Sequence, residues 1–323
     1  MRAFLSDGSG VVSGEVPRPS PADGQVLVKV RASALNRIDL TMAKGKQHGS
    51  AGGQGVPLGV EWAGEVAAVG SQVKAWQIGD RVMGAGIGAF AEYTLAHPAM
   101  MYAIPEGMPF EEAAALPVAM QTMHDAISTN GAMQAGQSVL IQGASSGMGL
   151  MGMQIARLLG AGLVLGSSTS AERRQKLRDY GANLPVDTSK SDWVQAVTNA
   201  TDGMGVDLLI DLIAGPFVNG GMSATRVGGR IVNVGRVAGE SGEFDFDLHS
   251  MRRITYVGVS FRTRTPAEVA AVVARARHDL EPALTQGKIS MPVDKVYPLG
   301  DLASALEHMA RNGHFGKIVV TAD

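Results

Sequence analysis

The most chemically specific stretch of the chain is VLIQGASSGMGLMGMQIARLLGA, from Val139 to Ala161. A short apolar run meets a glycine, a turn of small residues follows, and helical periodicity begins at once. Such a turn gathers backbone N–H groups and the positive end of a helix dipole, which together make a site for a pyrophosphate. The literal G-x-G-x-x-G spacing falls on Gly147, Gly149 and Gly152, but a working turn needs its first glycine directly after the strand, where Gly143 and Ala144 stand. The register adopted is Ala144-Ser145-Ser146-Gly147-Met148-Gly149. In it Ser146 and Gly147 open the helix, and Gly149 lets that helix pack on the sheet. Without a ligand, the same pattern describes a tightly packed strand–helix unit.

A second group of residues bears on which dinucleotide would fit. An acidic residue ending the second strand bonds a ribose 2′-hydroxyl. Here LVLGSSTSAERRQKL (Leu163 to Leu177) places Ser167 and Ser168 there instead. Thr169 and Glu172 read as a capping box, which puts Arg173 and Arg174 in the first helical turn. Cations at that end oppose the macrodipole by roughly 0.3–1 kcal/mol. A 2′-phosphate held by Ser168 and Arg173 would reverse the sign, so the expectation is NADPH rather than NADH. A solvated basic helix face, RRQKLR, is the alternative reading of the same run.

Other chemistry is excluded. There are no cysteines, so disulfides, thiolate metal sites and cysteine nucleophiles are ruled out. The seven histidines show no metal-binding spacing, and the expectation is no metal. A net charge of −2 argues against nucleic acid or an acidic membrane surface as partner. No apolar run approaches a membrane span and the N-terminus does not read as a signal peptide, so the expected location is cytoplasmic.

These residues need elements to hold them, and the chain has two textures. Up to about residue 118, short β-prone runs (25–33, 64–70, 80–86, 90–96) suggest a small barrel or sandwich. Between them a Gly/Ser/Gln stretch, Lys44 to Gly55, reads as a flexible loop and a candidate lid. From Val139 strands alternate with helices (139–142, 163–166, 184–186, 206–211, 230–234, 256–259), the pattern of a parallel, doubly wound sheet. Thr265 and Glu268 form a capping box with Pro266 at the first helical position. Strands at 293–297 and 317–321 and a helix from Leu302 close the chain. The expected fold is α/β. A Rossmann cofactor domain spans 123–261, and a second domain combines 1–122 with 262–323.

Several motifs occur in a recognisable order: ALNRIDLTMAKG (34–45), PLGVEWAGEVAAVG (57–70), QIGDRVMG (77–84), the run from Gly88 to Pro117, the Gly turn, and GHFGKIVV (313–320). Over essentially its whole length the chain resembles the medium-chain dehydrogenase/reductase superfamily, within it the zinc-independent quinone oxidoreductase group. Short-chain dehydrogenases share the GASSGMG turn, but they carry it near the start and use Tyr-x-x-x-Lys, and no tyrosine here has lysine four residues on.

The resemblance implies a GroES-like β-barrel-type catalytic domain beside the Rossmann domain. Zinc-dependent members have histidine where Val60 stands, so the implied reaction is zinc-independent. It implies an NADPH-dependent reductase acting on a small electrophilic substrate, either an activated C=C bond (enone, enal or enoyl thioester) or a quinone. A protein that binds NADPH with little turnover is the reading from another class. The implied cofactor residues are Thr122, Ala144, Ser145, Ser146, Gly147, Met148, Ser168, Arg173, Gly235, Ser260 and Phe261. Near the substrate it implies Asn36 as a donor to a carbonyl oxygen, with Asp39, Thr122 and His124. The residue-level alternative is that Asp39 caps a one-turn helix, Asn36 takes a turn conformation and His124 is structural. Glu61 reads as a pairing or capping residue. Asp211, Arg236 and Arg262 are further polar groups for the cofactor or an acidic substrate, or plain surface salt bridges. A homodimer pairing the 256–259 edge strand is also implied.

Overall fold

The computed structural model describes residues 1–49, 51–53 and 55–322; Ser50 and Gln54 of the Gly-rich stretch, and Asp323, lie outside the described residues. The chain divides into two units, one of Met1–Gln121 with Phe261–Asp323 and one of Thr122–Ser260.

The first unit begins with a hairpin, β1 (Arg2–Ser6) and β2 (Val11–Glu15), followed by β3 (Val26–Ala34), helix α1 (Arg37–Met42), β4 (Glu61–Val69), β5 (Arg81–Ala85), β6 (Tyr93–Ala96) and β7 (Met101–Ala103). Helices α2 (Phe110–Ala114) and α3 (Pro117–His124) follow, and the last three residues of α3 belong to the second unit. That unit holds β8 (Ser138–Gln142), α4 (Gly147–Leu158), β9 (Leu163–Ser167), α5 (Ala171–Gln175), β10 (Leu184–Val186), α6 (Trp193–Asn199), β11 (Val206–Asp211), α7 (Val218–Ala224), β12 (Thr225–Asn233), α8 (Phe246–Arg252) and β13 (Thr255–Gly258). The first unit is completed by α9 (Pro266–Thr285), β14 (Val293–Pro298), α10 (Leu302–Ala310) and β15 (Lys317–Thr321).

In the first unit the sheet order is β14-β15-β3-β4-β5-β7, with β6 also paired to β3. One face of strand β3 (Val26, Val28, Val30, Ala32 and Ala34) is buried throughout, while Lys29 on the other face is exposed and Arg31 half-buried, and one apolar cluster gathers on the strand and another just beyond its end. Val26, Val28 and Val30 join Trp62, Val66, Val82 and Met101. Leu35, just beyond the strand, joins Met42, Phe90, Leu306, Met309 and Ile318. The β1–β2 hairpin was not expected, because most of β2 faces solvent and carries no apolar alternation.

In the second unit six parallel strands run β10-β9-β8-β11-β12-β13, the order 3-2-1-4-5-6 of two mirrored βαβ halves. Val139, Leu140 and Ile141 are fully buried, as a central parallel strand covered on both faces requires. Trp193, Val197 and Met222 cover Leu140, Leu165, Leu209 and Ile231. Strand β12 starts at Thr225, earlier than the expected 230, because the β11–β12 register shifts between Val206 and Leu208 and accommodates a Gly-containing lead-in.

Candidate active site

The Gly turn joins β8 to α4. Gly143 takes φ +80°, a conformation that favours glycine, and is the tight-turn residue. Ser146 is the N-cap of α4: its hydroxyl accepts from Gly149 N at 3.1 Å and donates to Gly143 O at 2.9 Å. A Cβ on Gly149 would lie 2.4 Å from Ala144 Cα, so this glycine permits the close approach of helix and turn. A Cβ on Gly152 would lie 2.4 Å from Met123 Cε, which makes Gly152 a packing glycine against α3 rather than part of the phosphate turn. The Gly147 and Met148 N–H groups, in the first turn of a twelve-residue helix, have no helical acceptors. A pyrophosphate fits this geometry.

The turn is stitched to the end of β9. Gly143 N donates to Ser167 Oγ at 3.1 Å, Ala144 N to Ser167 O at 2.8 Å, and the Ser168 and Ser145 hydroxyls stand 3.1 Å apart. The cap of α5 differs from expectation. It is Ser170, not Thr169: Ser170 has the extended backbone a cap needs and its hydroxyl accepts from Arg173 N at 3.3 Å. Glu172 is thereby released to pair with Lys176 at 2.9 Å, and that ammonium holds its carboxyl below the ordinary range. Arg174 is committed to Asp187 at 2.9 Å and to the Ser168 carbonyl at 2.8 Å.

At the end of β11, Asp211 organises a second loop. Its Oδ1 accepts from Ile213 N (2.8 Å) and Ala214 N (2.9 Å), and its Oδ2 from Asn233 Nδ2 (3.3 Å). Burial pushes its carboxyl up from the usual value despite these bonds. The arrangement holds Ala214 at φ +57°, ψ −150°, where only glycine sits without strain. Gly235 packs against this loop, since a Cβ there would lie 2.4 Å from Leu212 O. Thr122 and His124 lie buried on the last turn of α3. The helix then widens into a π-turn over Asp125–Asn130, an irregularity with no sequence signature. Ser260 closes the second unit and Phe261 opens the returning segment of the first; both are half-buried.

The first unit assembles Asn36 and Asp39 with two residues from distant strands. Lys317 Nζ lies 2.6 Å from Glu61 Oε2 and 2.7 Å from Asn36 Oδ1. Asn36 Nδ2 donates to the same Glu61 oxygen at 2.9 Å and to Ala34 O at 3.3 Å. Glu61 Oε1 accepts from Val118 N at 2.6 Å. Asp39 Oδ2 accepts from Asn36 N at 2.6 Å, the capping arrangement at the start of α1. Asn36 is therefore not a free amide donor as arranged here. A buried ammonium needs acceptors, and it takes Asn36 Oδ1 as well as Glu61. Lys317 was missed in the sequence because nothing local marks it; only the fold brings it to Glu61. Burial pushes the Asp39 carboxyl up to about 7, opposed by the Asn36 N–H and by Lys317 and reinforced by Glu61. Among the described residues no group of three or more histidines, aspartates and glutamates gathers as a metal site.

A sheet in the 3-2-1-4-5-6 order with a glycine turn at its first strand defines a dinucleotide-binding α/β unit, here joined to a mainly antiparallel one. Comparison with known proteins agrees. Residues 147–277 match the family model described as zinc-binding dehydrogenase, and residues 22–106 match the alcohol dehydrogenase GroES-like domain. The chain is 30% identical over 311 residues to a mycocerosic acid synthase-like polyketide synthase of Mycolicibacterium smegmatis, covering 94% of this chain and 14% of that protein. It thus spans about one-seventh of the length of the first curated relatives it matches. To the quinone oxidoreductase of Homo sapiens it is 27% identical over 332 residues, covering 99% of this chain and 96% of the other. The crystal structure of CurK enoyl reductase shares the fold, with a TM-score of 0.87, 24% identity and coverage of 100% and 99%. The chain belongs to the medium-chain dehydrogenase/reductase superfamily, a superfamily of nicotinamide-dependent oxidoreductases, and is quinone oxidoreductase-like.

Proposed function

We propose that this protein is an NADPH-dependent reductase of an activated C=C bond, working without zinc. The bound dinucleotide would supply a hydride to the β-carbon of an enone, enal or enoyl thioester, and a proton from water or a side chain would complete the α-carbon. The observation that carries the NADPH reading is the end of β9. Where an acidic residue would select a ribose hydroxyl, Ser168 stands 3.1 Å from Ser145 of the turn and two residues before the cap of α5. The reading assigns a 2′-phosphate to Ser168 and Arg173, with Arg174 holding the strand end in place. Ala144, Ser145, Ser146, Gly147 and Met148 take the pyrophosphate. Thr122, Gly235, Ser260 and Phe261 serve the nicotinamide end by family resemblance. The absence of cysteine and Val60 in place of histidine support the zinc-independent reading.

Quinone reduction is the second reading, favoured by the near full-length match to a quinone oxidoreductase. His124, buried at the end of α3, is assigned a proton-transfer role only if its substitution lowers turnover of alkene acceptors. Among the described residues strand β13 pairs with β12 on one side only and Tyr256 is 37% exposed, so the free edge is proposed to pair across a two-fold axis in a homodimer. A monomer by light scattering would remove that assignment.

The test is NADPH oxidation against crotonyl-CoA, a simple alkenal, a cyclic enone and a benzoquinone, repeated with NADH. Alkene turnover with NADPH preferred is expected. Turnover of the quinone alone selects the second reading, and binding of NADPH with no turnover at all overturns both.

A further inference from the structure

The buried cluster of the first unit is costly for a fold to carry. Glu61 is fully buried, Lys317 is 4% exposed and Asp39 is 1% exposed. A buried ion pair adds little to stability over an apolar replacement, so its persistence asks for another explanation. The pair also joins four parts of the unit: β15 through Lys317, β4 through Glu61, the entry to α1 through Asn36, and the start of α3 through Val118 N. Asp39 completes the group. One of its oxygens holds the Asn36 N–H, while Oδ1 is shut away from solvent with no hydrogen-bond partner among the described residues. The charges facing Asp39 are Lys317 and Glu61. Helix α10, packed on α1, brings the apolar Leu302, Ala305, Leu306 and Met309 to the same core.

We propose that Lys317 and Glu61 are a buried positioning pair that sets the charge of Asp39 and, through Asn36, the shape of the turn carrying both. With Asp39 protonated the cluster is neutral: one ammonium, one carboxylate. With Asp39 ionised it carries one net negative charge in a low-dielectric setting, held by the Lys317 ammonium and the Asn36 N–H. The two partners therefore pull the Asp39 proton in opposite directions. Removing the Glu61 charge leaves the ammonium to favour ionised Asp39. Removing the Lys317 charge leaves two carboxylates competing, which favours the protonated form. The link to turnover rests on the reductase reading; the link between the three charges does not.

The experiment is a carbon-13 carboxyl titration of Asp39 in the full chain, assigned with Asp39→Asn, before any acceptor is added. Glu61→Gln is expected to move the Asp39 midpoint down by about 1 unit or more, and Lys317→Gln to move it up. Lys317→Arg should leave it near the parent value. The pH profile of kcat with the best acceptor should move in the same two directions, while NADPH affinity stays within about twofold. Should Lys317→Gln fail to fold, the downward shift in Glu61→Gln remains decisive. Midpoints that do not move, or that move in the same direction for both variants, overturn the proposal even if the protein proves to be an active reductase. Opposed midpoint shifts in a protein without reductase activity retain the charge coupling and remove only the reductase reading.

Discussion

The Gly turn of the second unit and the Asn36–Glu61–Lys317 cluster of the first are both polar constructions, yet they are built differently. The turn uses backbone N–H groups and the missing Cβ atoms of Gly143 and Gly149, all within a few residues of each other. The cluster uses side-chain charges and an amide, separated by up to 281 positions. A turn of the first kind tolerates changes in side-chain chemistry but not in side-chain bulk. A cluster of the second kind tolerates changes in shape but not in charge. Substitutions can test that contrast.

The largest effect is expected from Lys317→Met, which strands Glu61 as a buried unpaired charge. The expected loss is about 3–5 kcal/mol of stability, read by denaturant unfolding. A double variant, Lys317→Met with Glu61→Leu, should regain most of it; no regain would show that shape rather than charge governs the cluster. Gly149→Ala comes next. Its Cβ meets the Ala144 backbone, so the turn must shift, at about 1–3 kcal/mol together with weakened NADPH binding by calorimetry. Normal dinucleotide affinity in that variant would break the assignment of the turn. Arg173→Glu should leave stability nearly unchanged and weaken NADPH by about 10- to 100-fold more than NADH. Equal losses for both dinucleotides would remove the 2′-phosphate site.

A further effect concerns pH and is read as a slope. Asp39 is raised from 3.8 to about 7 in the folded state, so the folded protein binds the extra proton between those values. The sign follows: its contribution to stability is fully present below 3.8 and is lost as pH rises through about 7. Asp39→Asn should flatten the decline of stability between pH 4 and 7. A parent protein whose stability rises across this window, with the slope unchanged in the variant, would contradict the buried state of Asp39.

Where the chain's own neighbours decide a feature, it could be read directly. Thr265, Pro266 and Glu268 predict the start of α9, because a capping box is closed within four residues. The bounds of β11 and β15 match the expected strands, because apolar runs flanked by turn residues mark their own ends. Local reading failed where two local solutions compete. Thr169 and Ser170 both offer a cap hydroxyl, and only the backbone angles at the end of β9 choose the second. It also failed where no local signal exists, as in the π-turn after α3.

The sequence alone determined the strand series of the second unit, the position of the glycine turn, the exclusion of cysteine chemistry and the serine–arginine composition beyond β9, because each is a property of consecutive residues. It also pointed to Glu61 as a residue that pairs or caps. Tertiary structure alone decided with whom. Lys317 reaches Glu61 and Asn36 because β15 pairs antiparallel with β3, with Val319 opposite Ala34, and β3 pairs in turn with β4. That register brings a lysine near the end of the chain to a glutamate 256 residues before it. Burial does the rest: in water these charges would interact weakly, and in the core their attraction is far less screened.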